Sequence, residues 1–164
     1  MPGRLVLLAI AAAAPACRAQ AGEPLRNGFD DPFFQISAAV PGCPLPAGPF
    51  VGETDKRAQA HRRAEKGTTR WLANECDRPN AYAYDQAIAS AFRTALRGRN
   101  PFPDTTLWVT VQGRVNYIEG CALQDSVAPE LEASARAVPH AQQAIAIVRT
   151  DPSAGPPYRL RGNP

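Results

Sequence analysis

Hydrophobic and polar positions alternate between Leu107 and Glu119, and this is the most regular pattern in the chain. Apolar side chains occupy every second position from Leu107 to Val111, and a second such run starts at Val115. This alternation is typical of β-strands that bury one face. The intervening Gln112–Arg114 contains a glycine, which suits a tight turn. We therefore predict a β-hairpin.

Two stretches with helical periodicity flank the hairpin. Residues 81–98 place large apolar side chains four positions apart, which gives a helix one apolar face that ends at Gly98. Residues 124–138 form a second amphipathic helix, capped by Asp125 or Ser126, with Pro129 in its first turn. The apolar positions are Tyr84, Ile88, Phe92 and Leu96 in the first helix and Val127, Leu131, Ala135 and Val138 in the second.

A last strand is predicted over residues 141–150, built on Ile145 and Ile147. The order is then helix, strand, strand, helix, strand. We therefore predict an α+β fold, an α-β-β-α-β domain over residues 79–151 in which two helices cover one face of a three-stranded mixed sheet.

Residues 22–78 form a predicted N-terminal extension. Its first part, up to Val51, is rich in proline and glycine and is expected to be irregular, with a short ordered piece at residues 31–37. Residues 53–67 predict a helix whose only apolar side chains are alanines. We interpret it as a charged surface helix, and a contact between its basic residues and an anionic surface is the alternative. Residues 152–164 are predicted to form a flexible tail.

Residues 1–21 have the features of a secretory signal peptide. Arg4 precedes the apolar run Leu5–Ala14, and Ala19–Ala21 fits a signal-peptidase site. We therefore expect export to the periplasm, and no later run is long and apolar enough to cross a membrane. As an alternative, Cys17 follows small residues in a sequence similar to a lipoprotein acylation site, and a lipid there would anchor the protein.

The predicted leader also changes the interpretation of charge. The whole chain carries a formal net charge of +3. Because the leader holds two arginines and no acidic residue, the net charge of the exported chain is about +1. Near-neutral charge and export together disfavour nucleic acid as a partner.

Export places the cysteines in an oxidising compartment. Without Cys17 the chain keeps Cys43, Cys76 and Cys121, an odd number that allows one intramolecular disulfide. In the predicted domain Cys121 lies at the opposite end of the first helix from Cys76, beyond disulfide reach. We therefore predict a Cys43–Cys76 disulfide and a buried free thiol at Cys121. The cysteine spacing fits no zinc pattern, and no metal site is predicted.

The run from Tyr84 to Val148 resembles a BON domain, a small α-β-β-α-β module of bacterial periplasmic proteins. The resemblance covers residues 81–150 and rests on Gly113, Val115 and Gly120 in the hairpin and on "LEASARAVPHAQQAIAIV" for the last helix and strand. It implies a non-enzymatic protein that binds phospholipid surfaces and supports envelope integrity, with no catalytic residue and no cofactor. Residues 22–78 lie outside it.

Three common catalytic motifs are absent from the sequence. It has no Gly-x-Ser-x-Gly elbow, no His-Glu-x-x-His helix and no glycine-rich phosphate loop. His61 and His140 are predicted surface residues, and Cys121 has no activating neighbour in the sequence. We therefore expect no enzymatic activity, and a catalytic site within residues 22–78 is the weaker alternative.

The best candidate for a binding surface lies at the end of the first helix of the predicted domain. Arg93, Arg97 and Arg99 gather there, and arginines attract anionic lipid head groups. Arg93 and Arg97 also complement the dipole at the carboxyl end of the helix, which is the structural alternative.

Aromatic residues extend this candidate surface. Phe102 is expected to be exposed and to insert at the lipid interface, and Trp108 serves either as a second anchor or in sheet packing. The predicted partner is an anionic phospholipid surface or an envelope protein. The alternative function is a protein-interaction or chaperone-like stress module without lipid affinity.

Overall fold

The structure is a computed structural model that describes residues 23–162. The predicted signal peptide, including Cys17, lies outside these residues. The chain forms an α+β fold with a four-stranded mixed sheet. The strands are β1 Phe33–Ala38, β2 Thr105–Gln112, β3 Val115–Ala122 and β4 Gln143–Arg149, and the helices are α1 Glu53–Glu65, α2 Thr68–Leu72, α3 Asp85–Leu96 and α4 Val127–Arg136, with a 3-10 turn at Ala81–Tyr84 before α3.

The sheet has one strand more than the three predicted. Its order is β1-β2-β3-β4, with β1 and β2 antiparallel, β2 and β3 antiparallel, and β3 and β4 parallel. The added strand, β1, comes from the proline-rich extension. Apolar and polar residues alternate only over Phe34–Ala38, and this short run lies in a segment rich in proline and glycine, where only a short ordered piece was predicted. The register of the strand shifts between Gln35 and Ser37.

The hairpin between β2 and β3 has the predicted turn. Gln112 faces Val115 in the register, and Gly113 and Arg114 between them have φ angles of 60° and 69°. Two successive positive φ angles are the geometry of a type I′ turn, which matches the twist of the flanking strands. The glycine therefore supplies the turn, as the sequence indicates.

The hydrophobic core lies between one face of the sheet and the helices α3 and α4. From β2 and β3, Leu107, Val109, Val111 and Ile118 are fully buried there. Helix α3 contributes Ile88 and Phe92, and α4 contributes Leu131 and Ala135, as their predicted apolar faces require. On β4 it is Ala144, Ala146 and Val148 that pack against this core. Ile145 and Ile147 therefore lie on the opposite face of the sheet.

Gly120 allows β2 and β3 to approach closely. A Cβ atom at this position would collide with the carbonyl oxygen of Thr106 and lie 3.0 Å from Cα of Leu107. Only glycine fits against the neighbouring backbone here.

The extension and the tail pack on the opposite face of the sheet. Tyr158 is buried, and its hydroxyl donates a hydrogen bond of 2.9 Å to the carbonyl oxygen of Pro44. Pro46 and Leu160 form an antiparallel bridge. The guanidinium of Arg161 lies 3.6 Å from the ring centre of Phe50. Within the predicted flexible tail, Tyr158 to Arg161 thus contact the extension through a side-chain hydrogen bond, backbone hydrogen bonds and a cation–π contact.

The predicted Cys43–Cys76 disulfide is wrong: Cys43 is bonded to Cys121, with 5.8 Å between the Cα atoms, and Cys76 is free. The reason is the pairing of β1. Ala38 at its end faces Thr106, which in turn faces Cys121. The strand thus carries the chain to the end of the sheet where Cys121 lies, five residues before Cys43.

Helix α1 is anchored by a single buried cation. Arg63 is only 7% exposed, although the sequence suggests a fully solvated helix. Its guanidinium forms an ion pair with the buried carboxylate of Asp31 and lies between the rings of Phe29 and Tyr82, at 4.0 and 3.8 Å from their centres. Pairing and stacking offset the cost of burying this charge.

Candidate functional site

Three of the predicted binding residues meet in one open cleft, which we call the arginine cleft. It lies between β1 and the carboxyl end of α3 and has a volume of about 280 Å³. Its cations are Arg93, Arg97 and Arg99, all exposed. The remaining lining residues are Phe34, Gln35, Ile36 and Leu96.

The end of α3 brings the arginines together. Arg97 follows the last helical residue, and Gly98 takes a left-handed conformation with φ 69°. This residue reverses the chain, so that the amide of Arg99 donates to the carbonyl oxygen of Leu96 at 3.0 Å. A glycine at this position ends the helix without strain and returns Arg99 to the side of the helix that carries Arg93.

Strand β1 supplies the apolar wall of the cleft. The guanidinium of Arg93 lies 4.1 Å from the ring centre of Phe34. Phe34 in turn packs edge-on against Phe92 of α3, with 6.0 Å between the ring centres. The contact with Phe34 fixes the position of one guanidinium, and β1 was absent from the predicted sheet. The arginines were therefore predicted from the sequence, whereas this apolar wall was not.

The cleft is electropositive. Within residues 23–162, none of the three guanidinium groups lies within ion-pair distance of a carboxylate. The carbonyl ends of α3 carry partial negative charge that these cations complement. This interaction with the end of α3 leaves the outward N–H groups of Arg97 and Arg99 available to bind an external anion.

The two predicted aromatic anchors do not join the cleft. Phe102 is 5% exposed and belongs to the core, so the expectation of an exposed, inserting ring is wrong. Prolines at 101 and 103 make the segment look like a surface loop, yet the ring between them fills the end of the core. Trp108 is half-buried and lies on the other face of the sheet, between Gln35 and Glu119 in the register.

Among the described residues, the carboxylate with the most strongly shifted pKa makes contacts that hold the fold together. Asp85 at the start of α3 is buried, and burial raises its pKa to about 6. Its oxygens accept hydrogen bonds from the amides of Gly113 and Arg114, at 2.6 and 2.8 Å. These two bonds join α3 to the hairpin turn. The carboxylate is fully engaged with the backbone, which is the arrangement of a fold contact.

The predicted surface histidines lie apart from the arginine cleft. His61 of α1 is exposed beside Glu65, with 3.2 Å between Nε2 and the carboxylate. His140 is exposed, and its ring centre lies 5.4 Å from that of Tyr84. Across residues 23–162, no group of three His, Cys, Asp or Glu side chains is placed to hold a metal ion.

Sequence reasoning missed a second and larger cleft, between α1 and the sheet. We call it the α1 cleft, and its volume is about 490 Å³. It is lined by Gln59, Arg62, Arg63, Glu65, Lys66, Tyr82, Gln112 and Tyr117. The basic residues of α1 were noted in the sequence, but Tyr82, Gln112 and Tyr117 come from three other segments, so no local pattern indicates that they meet.

Comparison of the chain with models of protein families, with curated proteins and with solved structures finds no significant match. The BON resemblance therefore stays a prediction from the sequence. Of the helices in residues 23–162, none has the length and apolar character needed to cross a membrane.

Proposed function

We propose that the protein is a non-enzymatic periplasmic module of the BON type that binds anionic phospholipid surfaces through the arginine cleft. The observation that carries this proposal is the convergence on one open cleft of three exposed arginines that have no carboxylate partner among residues 23–162. Guanidinium groups form paired hydrogen bonds with phosphate oxygens. The cleft thus has the chemistry to receive phosphate head groups.

The expected binding is weak and reversible. Each arginine near an anionic membrane contributes about 1 kcal/mol, so three contribute about 3 kcal/mol. Phe102 is buried, so its ring does not insert into the lipid interface and adds nothing to the binding energy. Binding should therefore be electrostatic, with strong dependence on salt and on the fraction of anionic lipid. Additional proteins or a high local concentration would be required for stable residence on a membrane.

The structural role of the buried charges in the extension supports the proposed absence of catalysis. A catalytic site within residues 22–78 is the alternative, and Asp31 and Arg63 are the buried charged residues of that segment. They pair with each other, and Asp31 also accepts a hydrogen bond from the side-chain amide of Gln112 on β2. Both are thus engaged in holding α1 to the sheet.

A protein-interaction function without lipid affinity is the second candidate. Strand β1 is at the edge of the sheet, and it lines the arginine cleft through Phe34, Gln35 and Ile36. An extended peptide can add to such an edge as a further strand. Acidic side chains on that peptide would then meet the arginines.

Vesicle flotation separates these two functions. The oxidised protein is mixed at low salt with vesicles of phosphatidylcholine alone or with phosphatidylglycerol added. We expect flotation only with the anionic lipid, and its loss in the Arg97→Gln/Arg99→Gln variant because the cleft loses two of its three cations. Absence of flotation with anionic vesicles contradicts the lipid function and favours the peptide alternative.

A charge-matched control makes the result specific to the cleft. Arg57 on α1 and Arg136 on α4 are exposed and lie outside the cleft. The variant Arg57→Gln/Arg136→Gln lowers the net charge by the same amount and should float like the unmodified protein. Equal losses in the two double variants would show that net charge, and no particular cleft, determines binding.

A further inference from the structure

The α1 cleft has the size and lining of a site for a small molecule. Its volume of about 490 Å³ lies within the range of ligand-binding clefts. It shares no residue with the arginine cleft. Its lining combines cations, two tyrosine rings and two glutamine amides from four segments of the chain.

The base of this cleft is fixed by a buried network. Arg63 pairs with Asp31 and stacks on Tyr82. Asp31 also accepts a hydrogen bond of 2.7 Å from the side-chain amide of Gln112. Tyr82 is therefore held by Arg63 and Gln112 by Asp31, and these two buried charges are paired with each other. A ligand would meet side chains that are already ordered, which lowers the entropic cost of binding.

The cleft has an excess of positive charge at its rim. Arg63 is matched by Asp31, whereas Arg62 and Lys66 have no carboxylate within ion-pair distance among residues 23–162. The remaining acidic residue, Glu65, lies beside His61. Arg62 and Lys66 are four positions apart and therefore share one face of the helical end. Two neighbouring cations suit a dianionic group.

Lys66 is also oriented by its surroundings. Its ammonium lies 5.6 Å from the ring centre of Tyr82. It reaches the hairpin turn, where it would lie 2.8 Å from a Cβ atom at Gly113. Because Gly113 has no side chain, the Lys66 ammonium has room at the hairpin turn.

Two tyrosines provide a surface for a planar group. Tyr82 and Tyr117 are both half-buried in the lining. A tyrosine phenol is protonated at neutral pH, and burial raises the pKa of Tyr82 further, so this hydroxyl can donate a hydrogen bond. Ring faces stack on planar ligands. The cationic rim and the aromatic wall lie in the same cleft.

From this arrangement we propose that the α1 cleft binds a small organic phosphate whose phosphate meets Arg62 and Lys66 and whose planar ring packs on Tyr82 and Tyr117. The phosphate and the ring contribute together, so a ligand that carries both should bind more tightly than either part alone.

The test is an NMR titration of the oxidised protein with three probes: phenyl phosphate, inorganic phosphate and phenol. We expect phenyl phosphate to shift amide resonances of Arg62, Lys66, Tyr82 and Tyr117 and to bind more tightly than the other two probes. In the Arg62→Gln/Lys66→Gln variant the affinity should fall about tenfold or more, because two charge-assisted hydrogen bonds are lost.

Two further variants control this test. Arg57→Gln/Arg136→Gln removes the same charge elsewhere and should bind phenyl phosphate with unchanged affinity. Tyr117→Leu leaves Arg62, Lys66 and Tyr82 in place and should lower the affinity for phenyl phosphate toward that for inorganic phosphate, while the affinity for inorganic phosphate stays unchanged. Equal affinities of the unmodified protein for phenyl phosphate and inorganic phosphate, or unchanged affinity in the Arg62→Gln/Lys66→Gln variant, would overturn the proposal.

Discussion

Single residues fix the places where the segments of this chain meet. Arg63 joins α1 to the sheet through Asp31, and Gly120 lets two strands approach where any side chain would collide. Asp85 joins α3 to the hairpin turn through two backbone amides. Of these, Asp85 has a measurable consequence, because its pKa is far from the ordinary value of an aspartate.

Asp85 should make the protein more stable in mild acid. Its pKa is about 6 in the folded state, against an ordinary value of 3.8 for an aspartate. A raised pKa means that the folded state binds the proton more tightly. The Asp85 contribution to the free energy of unfolding is therefore complete below about pH 4 and is lost as the pH rises through about 6, by at most about 3 kcal/mol.

Urea unfolding at several values between pH 4 and pH 7 measures this effect. The Asp85→Asn variant cannot titrate at this position, so the difference in unfolding free energy between the two proteins should change over that window. A difference that stays constant from pH 4 to pH 7 would mean that Asp85 has an ordinary pKa.

At the scale of elements, local sequence patterns correctly predicted the hairpin and two helices. The pairing of segments that are distant in the sequence was not predicted. The hairpin and the helices α3 and α4 were recognisable because each carries its own apolar period. Strand β1 is a short alternating run within a proline-rich segment, and its pairing with the distant β2 has no local signal. Because β1 was not predicted, the disulfide partner assigned to Cys43 was wrong. The arginines of the candidate site were found from their spacing. The burial of Phe102 depends on the whole core and has no local signal.

The strand β4 forms the other edge of the sheet, and α4 protects it. The carboxylate of Glu132 accepts a hydrogen bond of 3.0 Å from the amide of Ala146. The strand carries the apolar run from Ala144 to Val148 with no charge. An acidic side chain at the edge of such a strand disfavours pairing with another chain.

Replacing this carboxylate should promote self-association. In Glu132→Ala the amide of Ala146 loses its partner, so we expect a larger weight-average sedimentation coefficient at high protein concentration and a loss of about 1 kcal/mol of stability. Glu130 is an exposed residue on the same helix, and the Glu130→Ala variant serves as the control. Identical sedimentation of the two variants would contradict a protective role for Glu132.

At the scale of the whole molecule, the chain is a sheet with packed layers on both faces. Helices α3 and α4 cover one face, and the proline-rich extension and the tail lie against the other. The Cys43–Cys121 disulfide and Tyr158, whose hydroxyl lies 3.6 Å from Sγ of Cys43, join the extension, the sheet and the tail at one point. The extension is thus an integral part of the fold.

Removal of the disulfide should destabilise the entire fold. The bond joins positions 78 residues apart, and closing a long loop restricts the unfolded chain. We expect Cys43→Ser/Cys121→Ser to lose about 2–4 kcal/mol in urea unfolding, and Cys76→Ser to stay close to the unmodified protein. Peptide mapping without reduction should give a Cys43–Cys121 pair, and a linked peptide that contains Cys76 would contradict the structure.

The most direct test of the proposed function is to locate the protein surface that meets a membrane. Amide resonances are recorded while bicelles that contain phosphatidylglycerol and a paramagnetic lipid are added. Binding through the arginine cleft predicts selective broadening of residues 93–99 and of Phe34 to Ile36, reversed by salt. Broadening centred on α1 and α2, or no broadening at all, would contradict it.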